Sequence, residues 1–198
     1  MAVSSMPTTD ACIPRLAGTL LLASVLAAGC AQGDERYGFG ATPTPGQIAS
    51  WNIDVEPDGR NLPAGGSSIE LGKQVYDAKC AACHGSRGEG GIGDRLVGGA
   101  GTLATATPIK TVGSYWPYAT TLFDYIRRAM PMNSPQSLSD VEVYGVTGYV
   151  LYLNGLLAQD TLVDARVLRS LRMPNRDGFT GDTRPDVKAP LCMRDCMK

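Results

Sequence analysis

This chain of 198 residues holds one histidine, and it stands directly behind two cysteines in Cys80-Ala81-Ala82-Cys83-His84. Spacings of three and four bring both thiols and the imidazole to one side of a helical turn. That placement suits two thioether bonds to haem vinyl groups with His84 below the iron, and C-x-x-C-H is the attachment pattern of haem c. The single His also excludes any site that needs two imidazoles from this chain. Two other chemistries fit less well. A thioredoxin-like dithiol wants a strand before the pair and a helix after it; here helical sequence precedes the pair and Gly-rich sequence follows. A tetrahedral zinc site needs further ligands, which tail cysteines would have to supply.

With no second His, the other axial ligand falls to Met, to an unusual ligand or to an open position. Met130-Pro131 lies between two helical stretches, where a loop can carry a thioether to the opposite haem face; Met132 in the same loop is its rival, and Met173-Pro174 belongs to the tail. His/Met ligation fills both axial positions and raises the potential, which favours electron transfer over oxygen chemistry. A catalytic haem protein, peroxidase-like or thiol-oxidising, would instead need an exchangeable iron site. Arg95, Trp116 and Tyr118 lie in loop sequence and carry donors suited to haem propionates. Core packing for the two aromatics and a solvated loop charge for Arg95 are the plainer alternatives.

The N-terminus carries an address. Arg15 precedes the apolar run Leu16 to Gly29, which is too short to span a membrane comfortably and suits a secretory signal. It ends Leu26-Ala27-Ala28-Gly29-Cys30, which resembles a bacterial lipobox, with residues 1–29 removed and Cys30 lipidated. An ordinary signal cleaved nearby is the alternative. Either reading places the mature chain outside the cytoplasm, in the periplasm, with a membrane reached through a lipid anchor alone. In that oxidising setting Cys192 and Cys196 are candidates for a local disulfide. A net charge of −1 and a pI near 5.8 give no electrostatic case for nucleic acid.

Residues 30–66 are rich in Pro, Gly and polar side chains, but Trp51, Ile53 and Val55 alternate, which predicts an extended arm partly packed on the domain. A first helix is predicted from about Ser68 to Cys83, with Ile69, Gly72, Tyr76 and Cys80 on one stripe. A second is predicted over Ala119–Ala129, stopped before Pro131. A third opens at Ser139 with a Ser-x-x-Glu capping box, Leu138 and Val143 standing as the hydrophobic staple. A short helix near Thr161–Leu171 follows, and strands find no strong support. The segment Gly85–Gly101 reads as a long loop.

Residues 51–186 resemble the haem c subunit of the bacterial Sox sulfur dehydrogenase and related sulfite dehydrogenase cytochromes. The resemblance rests on CAACHG, DRLVGGAGTL, TVGSYWPYATTLFDYIRRAMP, SLSDVEVYGVTGYVLYLNG and RMPNRDGF. It implies Cys80 and Cys83 as attachment sites, His84 as proximal and Met130 as distal ligand, a molybdopterin sulfur or sulfite dehydrogenase partner, and an acceptor cytochrome. The best-described members of that subunit carry two haem sites; this chain has one C-x-x-C-H. The expected architecture is all-α: a class I cytochrome c domain over residues 67–160, an extended N-terminal arm, and a tail over 161–198 packed on the domain. One covalent haem c is the expected cofactor.

Overall fold

The computed structural model describes residues 39–184, and the chain divides into two units, Met1–Ile48 and Ala49–Lys198. The signal segment 1–29, Cys30, Cys192 and Cys196 lie outside the described residues. In chain order the elements are α1 (Pro45–Trp51), β1 (Gly66–Ser68), α2 (Ile69–Lys79), α3 (Ala81–His84), α4 (Ala119–Ala129), α5 (Asp140–Leu153), β2 (Leu162–Asp164) and α6 (Ala165–Ser170).

Local chemistry sets most of the helix starts. At α5 the Ser139 hydroxyl accepts from the Glu142 N–H while the Glu142 carboxylate accepts from the Ser139 N–H at 2.8 Å, the reciprocal pair of a capping box. Leu138 and Val143 are both buried beside it. Ser68 caps α2 and Asp164 caps α6, each accepting the N–H three residues on. The α4 limits match the apolar stripe of the sequence, and Met130 stands at its C-terminus in extended geometry, ahead of Pro131.

The core forms where α2, α4 and α5 converge. Tyr76, Phe123, Tyr144 and Leu151 are fully enclosed, with Phe123 and Tyr144 rings 4.5 Å apart and Tyr76 and Tyr149 rings 5.2 Å apart. Each fully buried Leu or Phe contributes about 1.5–3 kcal/mol through desolvation. α2 and α5 meet at Gly72 and Gly145, where a Cβ on Gly72 would run into the Gly145 carbonyl.

Four local expectations are corrected. The helix leading into the cysteine pair breaks at Cys80, so α2 and α3 are separate turns rather than one continuous rod. Two short strands exist: β1 pairs antiparallel with β2, Ser67 opposite Val163, which lays the segment after α5 against the entry to α2. The predicted helix near Thr161 therefore starts later, at Ala165. Trp51 does not share the alternation of Ile53 and Val55; it ends α1 and is 87% exposed.

The stretch from Ile53 to Pro63 is held on the domain by named bonds. The Val55 N–H donates to Asp124 Oδ1 at 2.7 Å, the Thr120 hydroxyl to the Pro57 carbonyl at 2.9 Å, and the Tyr144 hydroxyl to the Pro63 carbonyl at 2.7 Å. Arg169 reaches the Gly59 carbonyl at 3.0 Å. Among the described residues no helix is long and apolar enough to cross a membrane.

Candidate haem site

The cysteine pair sits where α2 ends. The Cys80 N–H closes the last turn of α2 onto the Tyr76 carbonyl at 2.8 Å, and the backbone turns once more through α3 to His84. Gly85 then takes a positive φ of 81°, a conformation that suits glycine, and the chain doubles back. The Gly93 N–H donates to the Cys83 carbonyl at 2.9 Å and the Gly90 N–H to the His84 carbonyl at 2.8 Å, so the Gly-rich loop wraps the pair. The Tyr76 hydroxyl pins the same turn by donating to the Gly85 carbonyl at 2.8 Å. Burial, with smaller contributions from Cys80 and Glu89, pushes the Tyr76 phenol up to about 12.

His84 is half-buried, and its Nδ1 lies 2.7 Å from the Asp94 carbonyl oxygen. A carbonyl only accepts, so Nδ1 donates there, and in the neutral tautomer that this contact selects Nε2 keeps the lone pair. An imidazole held through one nitrogen to a backbone carbonyl, with the other available to a metal, is the usual arrangement of a histidine ligand. Gly93 makes that approach feasible, since a Cβ there would lie 2.9 Å from His84 Cε1 and 3.0 Å from Nδ1.

The thiols differ in setting. Cys83 is exposed, whereas Cys80 is half-buried against the core, and desolvation pushes its thiol up to about 11. A raised thiol does not suit an activated redox dithiol, whose nucleophile is the thiolate. Among the described residues no three His, Cys, Asp or Glu side chains converge as metal ligands, which leaves the zinc alternative without its further donors there. The donor set and the Gly93 cradle fit a haem c.

The methionines separate clearly. Met130 is half-buried and packs against the core, Met132 is 78% exposed, and Met173 is sealed inside the core. Trp116 also packs on the core, but its indole N–H donates to the Thr121 hydroxyl at 3.0 Å, and its ring meets Tyr125 edge-on. Tyr118 lies under the Arg176 guanidinium at 4.7 Å. Arg95 is exposed in the Gly-rich loop and donates through Nε to the Glu89 carbonyl at 3.1 Å.

Two residues that sequence reasoning passed over tie segments of the domain together, Asn154 at the Gly-rich loop and Asp124 at the arm. Asn154, at the end of α5, donates to the Leu96 carbonyl at 3.1 Å and accepts from the Gly98 N–H at 3.3 Å. It thereby ties the Gly-rich loop to α5. Asp124 is 7% exposed, yet Arg128 forks onto it while Val55 donates to it. Its signal was a carboxylate inside the apolar run Leu122, Phe123, Ile126 with an Arg four residues on.

Comparison with known proteins bears on the family. The family model for subunit III of cbb3-type cytochrome c oxidase matches residues 67–150. The crystal structure of the sulfane dehydrogenase SoxCD from Paracoccus pantotrophus contains a chain 37% identical to this one, with a TM-score of 0.71 over 81% of this chain and 82% of that chain. The chain belongs to the cytochrome c family of the sulfur dehydrogenases. Its fold is therefore of cytochrome c type, and the family implies haem c. Thiosulfate dehydrogenase from Stutzerimonas stutzeri (strain A1501) is 31% identical over 112 residues, 50% of this chain, and this chain spans 35% of that protein's length.

Proposed function

We propose that this cytochrome is the electron-transfer subunit of a dehydrogenase acting on sulfite, thiosulfate or a bound sulfane, and that it carries one covalent haem c. The observation that carries the reading is the His84 ring, fixed through Nδ1 to the Asp94 carbonyl at 2.7 Å beside Cys80 and Cys83. Cys80 and Cys83 would hold the group by thioethers, His84 Nε2 would be one axial ligand, and the half-buried Met130 the other. The exposed Met132 is poorly placed to stay shielded from water. Arg95, Trp116 and Tyr118 are proposed neighbours of the propionates, with Arg95 the freest to turn toward them.

When bound, haem c supplies one-electron redox chemistry at a potential raised by thioether ligation. Oxidation of a sulfur oxyanion removes two electrons, and the one C-x-x-C-H of this sequence, which also contains its one His, accounts for a single one-electron group. A molybdopterin centre in a partner subunit meets that need, and a further cytochrome would accept the electrons. The setting proposed is the periplasm, with the chain anchored through a lipidated Cys30 and its tail closed by a Cys192–Cys196 disulfide. The domain limits proposed are those of the sequence: arm 30–66, cytochrome domain 67–160, tail 161–198.

The test uses the purified haem-loaded chain. It is expected to stay oxidised with sulfite or thiosulfate alone and to be reduced within turnover time when the molybdenum subunit is added. Rapid reduction by substrate without a partner would overturn the electron-transfer reading in favour of a catalytic haem protein.

A further inference from the structure

The segment between α4 and α5 carries Met130 at its first position, and its middle is thinly held. Residues 132–137 are exposed, and within them the Ser134 N–H donates to the Pro131 carbonyl at 2.8 Å. What fixes such a loop is its base. There the Arg127 guanidinium, three residues before Met130, places Nε 3.1 Å from Oδ1 of Asp140, the first residue of α5. Its Nη1 donates to the Ile53 carbonyl of the arm at 3.0 Å. One planar side chain thus joins the end of α4, the start of α5 and the arm, a task for a rigid fork of donors that a lysine ammonium cannot duplicate.

We propose that Arg127 is the positioning residue for Met130: by bonding Asp140 and Ile53 together it closes the base of the 130–139 loop and keeps the thioether in place. The proposal rests on the reading of Met130 as the second axial ligand. Arg127 acts through the loop and is assigned no contact with the cofactor.

The test is displacement of the thioether by imidazole in the ferric haem-loaded full chain, followed by stopped flow and by the red absorption band of Met–Fe(III) ligation. Arg127→Gln and Asp140→Asn are each expected to speed imidazole binding, Arg127→Gln by about tenfold, and to weaken the band, and the double variant is expected to match Arg127→Gln, which already lacks the Asp140 contact. Asp140 is 41% exposed at its side chain, so that variant remains informative where Arg127→Gln folds poorly. Arg169→Gln is the control: it removes a guanidinium bond to the Gly59 carbonyl of the same arm and is expected to lower the melting temperature with no change in imidazole rate. Rates within about twofold of wild type for both loop-base variants, or an equal acceleration by Arg169→Gln, would overturn the proposal. Met130→Leu separates the two levels. If it loses the red band while the loop-base variants keep the wild-type rate, the ligand reading stands and the positioning role fails. If it keeps the band, the ligand reading itself fails.

Discussion

Gly72 of α2 and Gly145 of α5 meet backbone to backbone: a Cβ on Gly72 would lie 1.9 Å from the Gly145 carbonyl oxygen. The opposite substitution is less crowded, with a Cβ on Gly145 meeting the Ser67 hydroxyl at 2.9 Å and the Gly72 N at 3.0 Å. Because α2 ends at the cysteine pair, this crossing also sets where Cys80, Cys83 and His84 stand. Gly72→Ala is expected to destabilise by about 3 kcal/mol, the upper end for overpacking, and Gly145→Ala by about half of that. Urea denaturation of the two haem-loaded variants checks the order, and a larger loss for Gly145→Ala would contradict the packing described.

Gly93→Ala acts on the imidazole rather than on a helix. Its Cβ would fall within 3.0 Å of two ring atoms of His84, so the ring or the Asp94 carbonyl must shift. The expected result is a cost of about 1–3 kcal/mol and a changed low-spin spectrum. Denaturation and absorption of the variant measure both, and an unaltered spectrum at full stability would count against the His84–Asp94 geometry.

Asp124 holds the arm to α4. Replacement by Ala leaves the Val55 N–H buried without its acceptor, an expected loss of about 2–3 kcal/mol. Asn retains an acceptor for that N–H and gives up the charge paired with Arg128, so Asp124→Asn is expected to cost about 1 kcal/mol. Equal losses in the two variants would show that the Val55 bond contributes little.

How much of this was legible in the sequence depends on how local the cause is. The start of α5 was readable because Ser139 and Glu142 satisfy each other within one turn, and the end of α4 because Pro131 stops it. The break at Cys80 was not, since the apolar stripe Ile69, Gly72, Tyr76, Cys80 runs through it unchanged. The β1–β2 pairing joins residues nearly a hundred positions apart through strands of three residues, too short to show alternation. The site was legible at Cys80, Cys83 and His84 from spacing. The Asp94 carbonyl and Gly93 that support it act through backbone approach, which residue identity does not encode, and the Asn154 amide acts on backbone groups more than fifty residues away. Trp116 was readable as an N–H donor, but not its choice of Thr121.

Glu142 makes the protein's acid response specific. The Ser139 N–H, then Lys79 and the Ser139 hydroxyl, hold its carboxyl below the usual value of 4.5. A depressed carboxyl contributes stability that is present above its unfolded pKa and lost as pH falls through the folded one. Glu142→Gln is therefore expected to be about 0.5–1 kcal/mol less stable than wild type at neutral pH, the gap closing as pH drops below 4.5. Denaturation midpoints of both proteins across that range decide it; a gap independent of pH would assign the effect to the cap's shape rather than its charge.

The choice between Met130 and Met132 has a sharp experimental signature. Both lie in one loop two residues apart, so chain length and spacing do not separate them. Burial does, with Met130 packed on the core at the end of α4 and Met132 78% exposed. A thioether that ligates iron must be held away from competing water, and the energy that holds it comes from packing of the side chain and from the loop's closed base. Met130→Leu keeps most of that packing while removing the sulfur, so the fold is expected to survive as the red Met–Fe(III) band disappears, the potential falls and cyanide binds faster. Met132→Leu exchanges one exposed apolar side chain for another and is expected to leave band, potential and cyanide rate near wild type. Measured on the same haem-loaded preparations, the reverse pattern would move the ligand two residues along the loop and make the packing of Met130 purely structural.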